Sequence, residues 1–387
     1  MTYLSAPPQN PYPALRPVPL PPAKPRSGGA IGAIVGICIA GVVGLVVIAY
    51  LVFVLGAPST LVATVLALIP LTLVLLAVRW VDRWEPEPRW ALWFAFLWGA
   101  AVSIAIALLV DLGVQIAAAV LHPESGTDEV IQAVVQAPIV EEFAKGVGVL
   151  LIYAFARSHF DGPVDGLVYA ATVAAGFAFT ENAQYFGIAL LEGGAEHLGM
   201  VFVMRGIFSP FAHVIFTACT GIALGLGARR GAGASIILWF FAGLVPAILL
   251  HALWNGSLAF GDTAILLYFV VQVPIFAGVI GLTVYFRRQE AKLTRARLGE
   301  YAAAGWLTPG EVDALATSAG RRQAIRWARS THPPRVAEVK ALIADATTLA
   351  FNRQMIVARR GDVRRVQDER ELLDRVSRRR AALLTRV

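Results

Sequence analysis

Residues 131–155 read IQAVVQAPIVEEFAKGVGVLLIYAF. The run is long enough to cross a bilayer, which takes roughly 20 apolar residues. Glu141, Glu142 and Lys145 lie about ten residues inside it. Charges at that depth are costly and mark function by default, with partners on neighbouring helices.

Working outward, three later apolar runs carry polar intrusions of their own: Glu181-Asn182, then His213, then His251 with Asn255. The whole chain is 57% hydrophobic and 15% charged, with mean hydropathy +0.65. Soluble domains carry about 25% charged residues, so the composition is that of a membrane protein. Cys38 and Cys219 both sit in apolar runs, so neither a disulfide framework nor a cysteine metal site is available.

The pattern predicts an all-α polytopic transmembrane helix bundle of about eight spans. These are 31–55, 61–78, 91–120, 131–155, 166–190, 199–227, 234–260 and 264–286. Residues 1–30 hold nine of the 22 prolines up to Gly29 and read as a disordered tail. Residues 31–286 form the membrane domain. Residues 287–387 hold 22 lysines and arginines against 11 acidic residues and read as a helical, basic tail. Thr308-Pro309-Gly310-Glu311 has the form of a capped helix start. The basic surplus belongs to this tail and points to anionic lipid rather than to nucleic acid.

Loops on the N-tail side hold Arg79, Arg83, Arg89, Arg157, Arg229 and Arg230, while the opposite loops hold no Lys or Arg. The positive-inside rule then places both termini in the cytoplasm. Trp80, Trp84 and Trp90 read as an interfacial belt. The loops at 122–129 and 192–198 are acidic.

Depth counted from the outer ends places Glu141, Glu181, His213 and His251 at one level. At ~1.5 Å per residue, that level is roughly 15–20 Å below the outer surface. Four helices with ionisable groups at one depth predict a shared cavity in the outer half of the membrane. Lys145 lies four residues from Glu141 and three from Glu142, so it can pair with either. The neighbouring glutamates point about 100° apart, so one faces the cavity and the other is structural. His251 and Asn255 share a helix face. Arg205, Ser209, His213 and Thr217 form a stripe at four-residue spacing, and Asp111 is a partner for Arg205. Gly176, Gly221 and Gly256 would permit close helix approach.

Such a set suits peptide hydrolysis. A buried glutamate can act as general base towards water, and neutral histidines and an asparagine amide can stabilise an oxyanion. No serine elbow and no HExxH motif occurs, so a zinc site would draw His and Glu from separate helices. Carboxylates and histidines near the midplane also suit a proton relay. A proton-linked transporter is therefore the alternative from another class, disfavoured by the apolar cytoplasmic halves of the spans.

The stretches EEFAK (141–145), FAFTEN (177–182), His213 with Gly221, and HALWN (251–255) occur in one order on successive helices. With them the chain resembles the PrsW family of membrane proteases, relatives of CAAX prenyl peptidases and bacteriocin-immunity membrane proteins. The resemblance covers about residues 60–286. It implies a glutamate-type intramembrane endopeptidase of a bacterial cytoplasmic membrane. Glu141 and Glu142 would activate water, His251 and Asn255 would stabilise the oxyanion, and His213 would complete the site. Glu181 would orient a histidine or the water, with Lys145 and Asn182 in support. The substrate implied is a single-span membrane protein such as an anti-sigma factor. The resemblance leans to a site with no cofactor, and zinc stays open.

Overall fold

A computed structural model of the chain describes residues 27–121, 128–231, 233–261, 263–358 and 363–384. The expected disordered tail (apart from 27–30) and most of the 122–129 loop lie outside them. Among the described residues there are helices, turns and bends but no strand, and they fall into two compact units, one ending at Thr283 and one starting at Val284.

The first unit opens with α1 (Ser27–Leu55) and α2 (Ala57–Val81). Next, α3 (Arg89–Leu97) passes through a π-helical stretch, Trp98–Ser103, into α4 (Ile104–Leu121). A short α5 (Glu129–Ile131) leads through a second π-helical stretch into α6 (Ala137–Phe155). Then come α7 (Pro163–Phe202), α8 (Ala212–Arg229), α9 (Ile236–Leu258), α10 (Thr263–Leu267) and α11 (Val273–Ala303), the last of which continues into the second unit.

Among the described residues, six helical segments are long and apolar enough to cross a membrane by length and composition. In Ile34–Leu55 only 17% of the apolar window is buried, and Phe53 is 88% exposed. A soluble protein does not expose apolar surface on that scale. This is an integral membrane protein whose outer residues meet lipid, an all-α bundle as the pattern predicts.

α7 is the hub, packed by α2, α3 and α8. Its contact with α8 depends on glycine: a Cβ at Gly166 would lie 1.9 Å from the Gly221 carbonyl oxygen. Gly176 does the same against α3, where a Cβ would meet the Phe96 oxygen at 2.1 Å. Gly256 departs from expectation. Its neighbour is a Val134 methyl at 3.6 Å, an ordinary contact rather than a close backbone approach. The 192–198 stretch is also not a plain loop. α7 continues through it with a sharp bend at Gly194 (φ 64°, ψ −153°), a conformation that needs glycine.

The α2–α3 connection is tied inward. Glu87 N–H donates to Asp82 Oδ1 at 3.0 Å, and the Tyr169 hydroxyl donates to Glu87 Oε2. The Asp165 carboxylate accepts from the N–H groups of Asp161 and Gly162, both at 2.8 Å. Trp84 is 8% exposed, so it belongs to this packing, whereas Trp80 and Trp90 remain at the surface.

The second unit contains α12 (Pro309–Ala316), α13 (Ser318–Ser330), α14 (Val336–Ala358) and α15 (Val363–Leu384). It has its own core, including Leu298, Val312, Leu342, Leu349, Leu372 and Val376. The Thr308 start forms the expected capping box: Glu311 N–H donates to Thr308 Oγ1 at 3.2 Å, and Thr308 N–H to Glu311 Oε2 at 2.7 Å. Glu311 also pairs with the buried Arg380. Part of the basic surplus is thus structural rather than surface charge.

Candidate active site

The ionisable residues of α6, α7, α8 and α9 converge. Glu142 is fully buried and its carboxylate is saturated. Oε1 lies 2.6 Å from Lys145 Nζ and 3.1 Å from His251 Nδ1, and Oε2 accepts from Thr217 Oγ1 at 2.8 Å. Its neighbour Glu141 is held loosely, with Oε2 at 3.4 Å from Lys145 Nζ and 3.9 Å from His251 Nε2. Glu142 is therefore the structural member of the pair and Glu141 the one left facing the cluster.

Lys145 is also fully buried. Its ammonium lies 3.2 Å from His213 Nδ1 and 4.1 Å above the Phe177 ring. His213 Nε2 lies 2.8 Å from Glu181 Oε2, which also receives the Arg205 guanidinium. The His213 and His251 ring centroids are 5.2 Å apart, and Phe216 stacks on His251 at 4.8 Å. Trp98 braces the middle of α6, its indole N–H donating to Ala144 O at 2.9 Å.

These contacts decide what the histidines offer. A neutral imidazole has one N–H and one lone pair, and a carboxylate can only accept. His251 Nδ1–H therefore donates to Glu142, and His213 Nε2–H donates to Glu181. The inward atoms, His251 Nε2 and His213 Nδ1, then carry lone pairs. For His213 the lysine gives independent support, since an ammonium has only donors to offer Nδ1. The expectation that His251 would donate to an oxyanion does not fit this geometry. Glu141, His251 Nε2 and His213 Nδ1 are thus acceptors, the kind of atom a cation gathers, and the Lys145 ammonium already lies beside two of them.

Glu141, His213 and His251 each present one ligand atom, and these atoms lie within 4.8 Å of one another. Two histidines and one glutamate are a known open zinc donor set. A carboxylate on the far nitrogen of a ligating histidine is the usual support for such a set. The residues present therefore fit a divalent ion.

The structure brings Glu141, Glu142, Lys145, Glu181, His213 and His251 into one cluster. Asn182 joins through Arg205, whose Nε donates to Asn182 Oδ1 at 2.9 Å. Asn255 bonds elsewhere: its amide donates to the Ala133 carbonyl at 2.7 Å. The expected Asp111–Arg205 pair does not form. Asp111 accepts from Gln115 and Gln136, because Arg205 is taken by α7. The four-residue stripe is interrupted as well. A third π-helical stretch, Val203–Phe208, ends at Ser209, whose hydroxyl returns to the Met204 carbonyl. Thr217 and Arg205 were not expected as partners of the glutamates, although the stripe spacing had marked both.

Residues 87–279 match the PrsW-protease family, described as PrsW family intramembrane metalloproteases. The chain is similar to Protease PrsW of Bacillus subtilis (strain 168), 32% identical over 136 residues, covering 35% of this chain and 56% of that protein. It is also similar to Protease PrsW of Clostridioides difficile (strain 630), 28% identical over 212 residues, 54% of this chain and 84% of that one. Protease PrsW of Oceanobacillus iheyensis is 30% identical over 194 residues, 49% of this chain and 81% of that one. The chain thus spans a little over half the length of the first relative and more than four fifths of the other two. No solved structure gives a significant match.

Proposed function

The chain belongs to the PrsW family, and on that premise we propose that it is an intramembrane endopeptidase cutting a membrane-anchored protein at the Glu141–His213–His251 cluster. The observation that carries this reading is that Glu141, His213 and His251 each offer one possible ligand atom, all within 4.8 Å of one another, inside a lipid-facing bundle.

Glu141, His213 and His251 would hold a divalent metal ion there. Such an ion supplies Lewis acidity, polarising a carbonyl and lowering the pKa of water. The chain's other residues prepare the site. Glu142 and Glu181 fix the rotation of the two rings from behind. Lys145 offsets the charge of Glu142 and, 3.2 Å from His213 Nδ1, places a positive charge beside the cluster that would favour negative charge developing there. Phe177 and Phe216 pack on the histidines and restrict water. In the reaction water adds to the carbonyl carbon, the C–N bond breaks and a water proton ends on the leaving amine.

A second reading, a metal-free glutamate peptidase, is favoured by one contact. Lys145 already brings a cation within 3.2 Å of His213 Nδ1. Glu141 would then carry the proton from water to the amine as general base.

The substrate class we propose is a single-span membrane protein, with an anti-sigma factor as the first candidate. The arginine distribution in the loops supports a cytoplasmic membrane location with both tails inside, and the basic C-terminal segment suits anionic lipid. The test combines metal analysis of the detergent-purified chain with cleavage of single-span proteins, with and without chelator. Bound zinc that disappears in His213→Ala, with cleavage lost to chelator and restored by zinc, supports the metal reading. Cleavage that persists without metal supports the second. Absence of both would sink the peptidase and return weight to a proton-linked transporter.

A further inference from the structure

Among the described residues Arg205 is the one arginine bound to the cluster, and neither proposed mechanism uses it. It stands on the π-helical stretch Val203–Phe208, an irregular turn of the kind that recurs at functional sites. All the described partners of its side chain are on α7. Nε donates to Asn182 Oδ1, NH2 donates to Glu181 Oε2, and the guanidinium lies 4.1 Å over the Tyr185 ring. One prong of the planar fork holds Glu181 while the other is anchored on Asn182 and the face is stacked on Tyr185, a fixed arrangement that a lysine point charge cannot reproduce.

The same Glu181 oxygen faces His213 Nε2. We infer that Arg205 is a positioning residue of this site: by holding Glu181 it makes that carboxylate the acceptor for His213 Nε2 and turns His213 Nδ1 towards Glu141 and Lys145. Charge explains why a holder is needed. Three carboxylates, Glu141, Glu142 and Glu181, surround one buried ammonium. Lys145 lies 2.6 Å from Glu142 and 3.4 Å from Glu141. A buried carboxylate without its own cation is strongly unfavourable. Freed of Arg205, Glu181 would compete for Lys145, leave His213 and loosen the ring. Arg205 gives Glu181 a separate counter-charge and leaves Lys145 to the glutamate pair. The geometric inference stands on these contacts alone, and its effect on turnover rests on the peptidase reading.

The test uses the full-length protein in bilayers, labelled with 15N-histidine and observed by solid-state NMR. The His213 signals are assigned by their loss in His213→Ala. In wild type, Nε2–H carries the downfield shift of a carboxylate hydrogen bond, and Glu181→Gln defines the position without it. The expected result is that Arg205→Gln moves His213 to the Glu181→Gln position. Arg205→Lys, which keeps the charge and loses the fork, moves it part of the way. Asn182→Ala, with one prong removed, gives a smaller displacement and guards against a misfolded arginine variant.

A second arm measures kcat and KM on a single-span protein that the wild type cuts. Loss of a carboxylate behind a working histidine costs about 10–100-fold. Arg205→Gln should therefore lower kcat by about 10–100-fold with KM nearly unchanged, and adding it to Glu181→Gln should lower kcat no further. His213 signals that stay at the wild-type position in folded Arg205→Gln would overturn the inference, as would multiplying effects in the double variant. If the wild type cuts nothing, the peptidase reading fails while the NMR arm still decides the role of Arg205.

Discussion

Two groups of buried carboxyls share α7. Glu181 belongs to the cluster of the proposed active site, and Asp165 belongs to the tie between α7 and the α2–α3 connection. Sixteen residues separate them, roughly 24 Å along the helix. Around Glu181 the carboxylates are balanced by full charges, Lys145 and Arg205, and by two imidazoles. Around Asp165 the bonds come from peptide N–H groups, while Glu87 is held by a tyrosine hydroxyl. Burial pushes Asp82 up to about 7, against the Glu87 N–H bond and with help from the Asp165 charge. Burial, then the charge of Asp165, pushes Glu87 well above the usual carboxylate range. The difference teaches how to tell a reactive polar cluster from a structural one. The first keeps ionised groups apart and leaves one, Glu141, loosely held. The second closes its carboxyls mainly against peptide and hydroxyl donors, with the charge of Arg229 acting on Asp165.

The largest effect expected falls on the pair Glu142 and Lys145. Glu142→Ala strands a fully buried ammonium and should cost about 3–5 kcal/mol of stability as well as all cleavage. Glu141→Gln should abolish cleavage with little change in the unfolding temperature, because Glu141 makes only long contacts. Measuring cleavage and thermal unfolding side by side tests this, and equal destabilisation by both would erase the distinction within the pair. His251→Ala comes next, with cleavage reduced by about 10²–10⁴-fold, the range for a group that acts directly on the reacting atoms.

The tie around Glu87 should respond to pH instead. A carboxyl whose folded value is raised binds its proton more tightly folded than unfolded. Its stabilisation is complete at low pH and declines as pH climbs from the ordinary value towards the folded one. For Asp82 that window runs from about 4 to about 7, and for Glu87 it extends higher. Wild-type protein should therefore melt at a lower temperature at pH 8 than at pH 5.5. Glu87→Gln, which keeps an acceptor for Tyr169 and cannot ionise, should narrow that gap. An unchanged gap would count against proton storage in this tie.

The smallest effects mark the borders of the comparison. Asn255→Ala removes a bond to the Ala133 carbonyl and should alter kcat only a few-fold in a cleavage assay. A loss as deep as that of His251→Ala would return Asn255 to the reacting atoms. Thr308→Ala should cost about 1 kcal/mol, the usual value of such a cap, with cleavage intact.

Much of the site was legible because an ionisable residue in an apolar run has few innocent explanations. Glu141, Glu142, Lys145, Glu181, His213 and His251 stand out on that ground alone, and a common depth joins them. Partners were harder to read. Arg205 could reach Asp111 or Glu181 by spacing, and the outcome depends on the π-helical turn that carries it. Asn255 shares a helix face with His251, yet a free peptide carbonyl on the neighbouring element captures its amide. The Glu87–Tyr169 tie left almost no trace, since a stretch of mixed charge between two spans reads as a wetted loop. Trp84 was misplaced for the same reason. The core of the second unit was hidden by its arginines, several of which face inward.

The interruption at Ser209 places α8 so that its first residue is Ala212 and its second is His213. The aligned peptide dipoles of a helix leave roughly half an elementary positive charge at its N-terminus. Had the chain run unbroken from Val203 to Arg229, that positive end would lie two turns or more away from His213. Because the helix restarts here, a permanent field that no side chain supplies and no substitution of His213 removes is aimed among the carboxylates. Negative charge created in this place meets a backbone already oriented to receive it.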